Sequence, residues 1–279
     1  MRAIRFRTHY GTNSWPAGGS AVVLRLLLWG RAAIEALWQQ RHPGQPRPVA
    51  DWLNFDDNGD ALWTTGAFGH DWTRPESELV LDILLEVLTR IDELWLVLHP
   101  GWPRLYDLGV RYIREEGTEE WNALPEIVRE RGGDCEDLSA ALTAERRTYD
   151  GDRAARCSKY FHLVPEGRLY HIQTTRGDGQ IEDASRALGM RVDIPWGFRP
   201  LPGVPFVVSL GMTHMLGASE LGDRYARGQL AEVARLAAQG HPIADYLWRV
   251  VGELRRSGYD VDARTWERNP PDGVPRWVR

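Results

Sequence analysis

The chain has 279 residues, of which 43% are hydrophobic and 26% charged, and this composition predicts a globular protein with a sizeable core. A net charge of −5 provides no overall basic field, so we predict no binding to nucleic acid. The 2 cysteines are too few for a disulfide scaffold, which favours a reduced, cytoplasmic protein.

The first hundred residues predict a strand followed by two helices. Residues 2–10 alternate between apolar side chains and arginines, as in a half-buried strand. Apolar residues recur at helical spacing over 21–40 and again, after Pro75, along a longer helix. The apolar run AVVLRLLLW in the first helix contains Arg25 and is too short to cross a bilayer, so we expect no membrane span.

The segment NFDDNGD has the spaced acidic residues of a calcium loop, in Asp56 and Asp60. An EF-hand loop needs Gly at its sixth position and Glu at its twelfth, where this chain has Ala61 and Ala67. We therefore interpret the segment as a turn, and we predict no metal ion and no cofactor.

The central region changes from helical to strand-forming patterns. We interpret 105–116 and 119–133 as two short helices and 134–148 as a third, which carries Cys135. Within 154–184 the runs ARCSKYFHLV, RLYHIQTT and GQIEDAS are rich in strand-forming residues and separated by turns, which predicts an antiparallel meander. The fold class is therefore predicted to be α+β.

Cys135 lies at a predicted helix start, where a thiol has the best chance of being reactive. Asp134 is a good N-cap, and Asp137 can complete a capping box with it. The unpaired N–H groups and the positive end of the helix dipole favour a thiolate at Cys135. Glu136 and Asp137 act in the opposite direction and raise the pKa of the thiol, unless an arginine neutralises them.

A cysteine nucleophile needs a base, and the base needs an orienting carboxylate or amide. His171 begins the strand run HIQTT, and Asp183 ends the next run. Across a hairpin these two side chains can lie next to each other, which predicts a triad of Cys135, His171 and Asp183. His162 is the alternative base, although a histidine inside the apolar run YFHLV is more often structural.

Three segments carry a resemblance to a known family: LYDLGVRYIREEGTEEWNALPEIV, GGDCEDLSAALTAERR and LYHIQTTRGDGQIEDASRALGM. Their order resembles the transglutaminase-like branch of the papain-like superfamily, and most closely the compact transglutaminase-core proteins of tailed phages and prophages. The resemblance covers residues 104–190. Ala184 stands where that family usually has proline, and Asp183 remains in place.

The resemblance implies a core, within residues 101–200, in which the cysteine helix packs on an antiparallel sheet. Outside the resemblance, the sequence patterns predict that residues 1–100 pack on this core as a strand plus helices and that residues 201–279 form a helical appendage with an irregular tail. In that family the cysteine transfers acyl groups to water or to an amine, so the implied substrate is a protein or peptide.

Two hypotheses about function remain open, because several branches of this superfamily lack catalysis. In the first, Cys135 attacks an amide or ester carbonyl, His171 transfers the proton and Asp183 orients His171. We then expect Cys135 to be alkylated with an apparent pKa below that of a free thiol. In the second, the protein is a non-catalytic structural or assembly component of a phage virion or tail, and its terminal regions bind partner proteins.

Each candidate residue also has a structural interpretation. A free cysteine is often simply buried, which would make Cys135 a packing residue. Asp183 would then only cap the turn into ASRALGM, and Cys157 is predicted to lie in the core of a strand. A zinc site built from both cysteines with His162 and His171 lacks paired CxxC or HxxxH spacing.

The C-terminal region predicts two helices and an irregular tail. The segment 198–206 is rich in Pro and Gly and is interpreted as a linker. Helical patterns follow over 219–238 and 242–257. The tail from Asn269 contains Trp277 and cannot build its own core, so we expect it to be ordered only against the rest of the chain or a partner.

Overall fold

Helices alternate with short strands along the chain, so the protein is α+β, as the sequence predicted. The computed structural model describes residues 3–8, 15, 19–45, 53–55, 60–64, 75–114, 119–164, 167–191, 199–200, 235, 237–242, 244–246 and 248–249. The labelled helices are α1 (Gly19–Arg41), α2 (Pro75–Leu98), α3 (Leu124–Glu130), α4 (Cys135–Thr148) and α5 (Ala184–Ala187). The strands are β1 (Ala3–Arg7), β2 (Leu53–Phe55), β3 (Ala61–Thr64), β4 (Arg111–Tyr112), β5 (Glu119–Asn122), β6 (Gly132–Gly133), β7 (Arg156–Val164), β8 (Gly167–Thr175), β9 (Ile181–Glu182) and β10 (Arg199–Pro200).

The first sheet has the strand order β2-β3-β1-β5, in which β1 is antiparallel to β3 and parallel to β5. The predicted alternation of β1 is confirmed, because Ile4 and Phe6 are buried whereas Arg5 and Arg7 are partly exposed. Phe6 stacks on Trp121 of β5, with 5.2 Å between the ring centroids. The first strand therefore packs on the segment that leads to the cysteine helix, and the sheet crosses the predicted boundary at residue 100.

The two short helices predicted for 105–116 and 119–133 are wrong over most of their length. The first segment has only one turn of 3-10 helix, Leu105–Asp107, followed by β4, and the second is divided into β5, α3 and β6. β5 pairs with β1, and β6 pairs with β4. Strand pairing with other segments therefore overrides the local helical pattern.

The helices predicted over 21–40 and after Pro75 are confirmed as α1 and α2, which pack on each other. From Ile91 to Leu98 no residue of α2 is more than 7% exposed, so this half of the helix is buried on every side. α4 packs against α2. In the part of the chain that the structure describes, no helix has the length and apolarity needed to cross a membrane.

Charged side chains cross the interface between α2 and α4 and are paired there. Arg147 of α4 lies 2.9 Å from Glu86 and 3.1 Å from Glu93, and Arg90 lies 2.7 Å from Glu86. Burial alone would raise the pKa of Glu86, but the two arginines outweigh it and lower the pKa to about 2. Removing one partner of such a buried pair leaves an uncompensated charge, so these contacts favour a single packing of the two helices.

The meander predicted over 154–184 is confirmed as β7, β8 and β9, which are antiparallel neighbours in a second sheet. α4 packs across β7 and β8, so the cysteine helix lies on this sheet. β10 extends the sheet at the edge of β7, opposite residues 160–161. This pairing corrects the interpretation of 198–206 as a linker for Arg199–Pro200, while its other residues lie outside those described.

The described part of the C-terminal region packs on the rest of the chain. Arg153 donates to the carbonyl oxygens of residues 239–240, and the hydroxyl of Tyr246 accepts from Arg25 at 3.2 Å. Ala244 is buried with Tyr246 in the main core. These contacts belong to the region predicted as helices over 219–238 and 242–257.

Most of that region lies outside the described residues. The structure shows helical residues at 235, 237–238, 242, 244–246 and 248–249. The other residues of the two predicted helices are not among those described, and neither is the tail from Asn269 with Trp277. The predictions for these segments stay predictions.

Several buried carboxyl groups around α2 and α4 have a raised pKa, in each case because burial penalises the charged form. The pKa of Glu145 is raised to about 7, and those of Asp92 and Glu136 lie well above their usual range. Asp92 accepts a hydrogen bond from the backbone N–H of Leu124 at 2.6 Å, which places the start of α3 against α2. A carboxyl with a higher pKa in the folded protein binds more protons there than in the unfolded chain. Its contribution to stability is therefore lost as the pH rises through the folded-state pKa.

We expect the free energy of unfolding to fall as the pH rises from about 4.5 to about 7, by up to about 1.4 kcal/mol per pH unit for each such carboxyl. The lowered pKa values of His99 and His241 have the opposite effect below the ordinary histidine value of 6.5, and they are the same in the wild type and in the variants compared. Asp92→Asn keeps an oxygen for Leu124 but cannot titrate, so it should reduce the slope in denaturant titrations at several pH values. The exposed Asp107→Asn is the control, and a slope equal in both variants contradicts the prediction.

Candidate functional site

The two glycines before α4, Gly132 and Gly133, are in close contact with neighbouring residues. β6 pairs in parallel with β4, and a Cβ on Gly132 would collide with the carbonyl oxygen of Arg111. A Cβ on Gly133 would lie 2.7 Å from Asp137 Oδ2. Both positions therefore need glycine, because a side chain would push the start of α4 away from β4.

The predicted helix start at Cys135 is confirmed. Asp134 is the N-cap of α4 and forms a capping box with Asp137, whose Oδ2 lies 3.4 Å from the backbone nitrogen of Asp134. Asp137 also accepts from the backbone N–H of Asn122 at 2.7 Å and from its side-chain amide at 2.9 Å. One buried carboxyl group therefore caps α4 and holds it to β5.

α4 lies along the backbone of β8 through a row of polar residues one helical turn apart. The Ser139 hydroxyl donates to the carbonyl oxygen of Ile172 at 2.9 Å, and the backbone of Ile172 also hydrogen-bonds the Cys135 sulfur. Further along, the hydroxyl oxygens of Thr143 and Thr174 are 3.1 Å apart. The sulfur is thus held beside the peptide that joins His171 to Ile172.

His171 and Asp183 come together as the hairpin predicted. His171 Nε2 lies 3.0 Å from Asp183 Oδ2, and the side-chain amide of Gln173 donates to the same oxygen at 2.7 Å. Asp183 follows β9 and is the N-cap of α5, where its Oδ1 accepts from the Arg186 backbone N–H at 3.1 Å. The capping interpretation of Asp183 is therefore correct, and it is compatible with the contact to His171.

The protonation of this pair follows from the pKa of Asp183. Burial would raise that pKa, but hydrogen bonds from His171, Arg186 and Gln173 outweigh it and lower the value. Asp183 is therefore ionised near neutral pH, and His171 Nε2 carries the proton of the hydrogen bond. In a neutral imidazole the acceptor is then Nδ1.

The thiol of Cys135 is not activated in the way that its place at a helix start predicted. Burial raises its pKa well above the usual value, and Glu136 and Asp134 raise it further. The sulfur donates a hydrogen bond to Glu136 Oε2 at 3.0 Å. The hydrogen bond with Ile172 lowers the pKa but does not outweigh these effects. The expectation of an alkylation pKa below that of a free thiol is corrected accordingly.

The alternative ligands and bases lie elsewhere in the sheet. The backbone of His162 pairs with Leu169, two positions along β7 from Tyr160, which pairs with His171. Cys157 Sγ lies 3.5 Å from Thr143 Oγ1, and burial raises its pKa to about 11. This agrees with its prediction as a strand core residue. Within the described ranges, no group of three or more His, Cys, Asp and Glu residues is arranged to hold a metal ion.

Tyr112 is a neighbour of the thiol that the sequence did not reveal. It lies on β4 opposite Gly133, two residues before Cys135. Burial raises the pKa of its phenol to about 12, with the charges of Cys135, Asp134 and Glu136 adding to the effect. The helical interpretation of 105–116 concealed this placement, because only the pairing of β4 with β6 brings Tyr112 to the start of α4.

We expect Asp137→Ala to destabilise the protein by about 1–3 kcal/mol for each buried donor that it leaves without an acceptor. The donors are the backbone and side-chain N–H groups of Asn122. The matched control is Asp178→Ala, which removes an exposed carboxylate that accepts from the backbone of Gln180 at 2.8 Å. Denaturant unfolding should show a much smaller loss for the control, and equal losses contradict the structural role of Asp137.

Comparison with protein family models, with curated proteins and with solved structures finds no match to this chain. The fold therefore brings no function with it, and function has to be argued from the chemistry of the site. That site consists of a half-buried thiol at a helix start, the histidine that precedes Ile172 on β8, and a carboxylate hydrogen-bonded to that histidine.

Proposed function

We propose that the protein is a cysteine-dependent acyl transferase or amide hydrolase with a triad of Cys135, His171 and Asp183. The observation that carries this proposal is the hydrogen bond of 3.0 Å between His171 Nε2 and the ionised Asp183. It fixes the tautomer of a histidine whose neighbour, Ile172, hydrogen-bonds the Cys135 sulfur. A base held by a carboxylate next to a nucleophile is the arrangement that acyl transfer needs.

In the proposed reaction, Nδ1 of His171 takes the thiol proton as the Cys135 sulfur bonds to the carbonyl carbon of an amide or ester. The carbonyl π electrons move to oxygen, and the backbone N–H of Cys135, at the first position of α4, can donate to that oxyanion. When the intermediate collapses, the C–N or C–O bond breaks and His171 returns the proton to the leaving group. Water or an amine then attacks the thioester and releases the sulfur.

The resemblance of residues 104–190 to transglutaminase-core proteins supports the same reaction class. The cysteine helix, the strand with His171 and the following Asp183 occur here in the order that this family has. The resemblance favours a protein or peptide as the acyl substrate. It also suggests a phage or prophage origin, and with it incorporation into a virion as a further part of this proposal.

The second candidate function is a non-catalytic assembly component built on the same fold. The raised pKa of Cys135 and its hydrogen bond to Glu136 favour this candidate, because a thiol that keeps its proton is a poor nucleophile. The two candidates make opposite predictions about acylation of Cys135.

For the catalytic candidate, we expect p-nitrophenyl acetate to acetylate Cys135 and not Cys157. His171→Ala should slow this acetylation by a factor on the order of 10² to 10⁴, which is the usual contribution of a general base. The measurement is release of p-nitrophenol together with peptide mass spectrometry. Adding hydroxylamine distinguishes transfer to an amine from hydrolysis.

Cys157 serves as the internal control in the same sample, since its pKa is raised to about 11 and it lies in the sheet core. Equal acetylation of Cys135 in wild type and His171→Ala contradicts the triad and favours the assembly candidate.

We expect Asp183→Asn to slow acetylation of Cys135 by at least about tenfold, because the amide cannot fix the histidine tautomer as a carboxylate does. Asparagine is as good an N-cap as aspartate, so the hydrogen bond from the Arg186 backbone is kept and the free energy of unfolding should change little. Unfolding and acetylation are measured on the same samples. A variant that loses stability and not rate identifies Asp183 as a structural cap only.

A further inference from the structure

The side chain of Glu136 contacts the thiol of Cys135 but has no role in the proposed triad. Its side chain is buried, and its Oε2 accepts the hydrogen bond from the Cys135 sulfur at 3.0 Å. The residue that follows a nucleophile at a helix start could point to solvent, as glutamate usually does. Here the packing of α4 against β5 turns it inward, where it also hydrogen-bonds to Glu119.

We propose that Glu136 is a positioning residue that keeps Cys135 as a neutral thiol in the resting site and holds its proton away from His171. This inference rests on the proposed function, in which Cys135 is the nucleophile. Its test is chosen to be independent of acyl transfer.

The physical reason is competition for one negative charge. Glu136 and Cys135 are in contact in a buried site, so both cannot be ionised there without strong repulsion. A carboxyl group is intrinsically a stronger acid than a thiol, so the first proton to leave the pair comes from Glu136. The thiolate of Cys135 can then form only as a second charge beside the carboxylate.

The other groups around the sulfur do not reverse this order. Asp134 on the same helix start adds negative charge, and so does Glu119 of β5 through its hydrogen bond to Glu136. Tyr112 of β4 contributes a phenol whose pKa is about 12, so it is neutral at physiological pH. Asp137, whose pKa is raised mainly by burial, is bonded to Asn122 and not to the sulfur.

Two groups act in favour of the thiolate. The backbone hydrogen bond with Ile172 lowers the pKa of Cys135, and His171 would supply a positive charge after taking the proton. Arg114, which follows β4, acts through its charge on Tyr112. For His171 to receive the proton, the S–H bond has to turn from Glu136 to the imidazole. While the S–H bond is directed to Glu136 the sulfur keeps its proton, so the resting thiol is protected from unspecific alkylation and oxidation.

The experiment measures the rate of alkylation of Cys135 by iodoacetamide as a function of pH in wild type and in Glu136→Gln. The thiolate sulfur displaces iodide, so the rate reports the thiolate fraction. Gln has the volume of Glu and cannot hold the charge. We expect the midpoint of the profile to fall by about one pH unit or more, which makes alkylation about tenfold faster below the midpoint.

Glu130→Gln is the matched control, because this residue of α3 is 46% exposed and its carboxylate pairs with Arg7 and Arg129. Cys157 is the internal control for general loosening of the fold, since peptide mass spectrometry follows both thiols at once. If Glu136→Gln is poorly folded, Cys157 becomes reactive too. The ultraviolet absorbance of the thiolate is then titrated in Asp134→Asn, which removes the second carboxylate and should lower the Cys135 pKa by a smaller amount.

An unchanged or raised midpoint in well-folded Glu136→Gln overturns this inference. That failure is distinguishable from failure of the triad, because alkylation does not need a general base. A lowered midpoint together with acetylation that is independent of His171 supports the role of Glu136 and contradicts the triad. An unchanged midpoint together with acetylation that depends on His171 supports the triad and contradicts the role of Glu136.

Discussion

The docking of α4 along the edge of β8 is the interaction on which the candidate site depends. Ile172 uses its carbonyl oxygen for Ser139 and hydrogen-bonds the sulfur of Cys135, which lies one helical turn earlier. β9 pairs with β8 only at residues 174–175, so at Ile172 the helix is the neighbour on that side. Since His171 adjoins Ile172, this contact places the backbone next to His171 beside the sulfur.

The carboxyl groups at the start of α4 stabilise the fold, but they also raise the pKa of the Cys135 thiol. Asp137 caps the helix and holds Asn122 of β5, which is a structural role that needs a carboxyl group in a buried place. Glu136 lies in the same environment, where its charge and that of Asp134 keep the thiol protonated. The dipole of α4 favours a thiolate, but burial and two carboxyl groups in contact outweigh it. In the proposed triad, the Cys135 sulfur could attack only after its proton has moved to His171.

The rigid support for the site comes from behind α4. The buried half of α2 packs on it, and Arg147 is fixed between Glu86 and Glu93 by charge-assisted hydrogen bonds. Asp92 of the same helix holds the start of α3, which leads directly into β6 and Cys135. The helices and both sheets therefore meet at the segment that carries the thiol.

Local patterns in the sequence were sufficient for a large part of this structure. Periodicity predicted β1, α1 and α2, the capping box predicted the start of α4 at Cys135, and the turn residues predicted the meander that places Asp183 beside His171. These features depend on residues close together in the chain, where spacing, caps and turns act directly.

The tertiary structure alone decided the rest. Parts of the segments at 105–116 and 119–133 form β4, β5 and β6, because β1 and each other's backbones offered pairing that local propensity does not contain. The sequence contained both the helix dipole and the acidic neighbours of Cys135, which have opposite effects on the thiol. Only the packing of β4, β5 and β8 around the start of α4 partly buried the thiol and turned Glu136 inward. Burial strengthens the repulsion between two buried charges, and that is why the thiol keeps its proton.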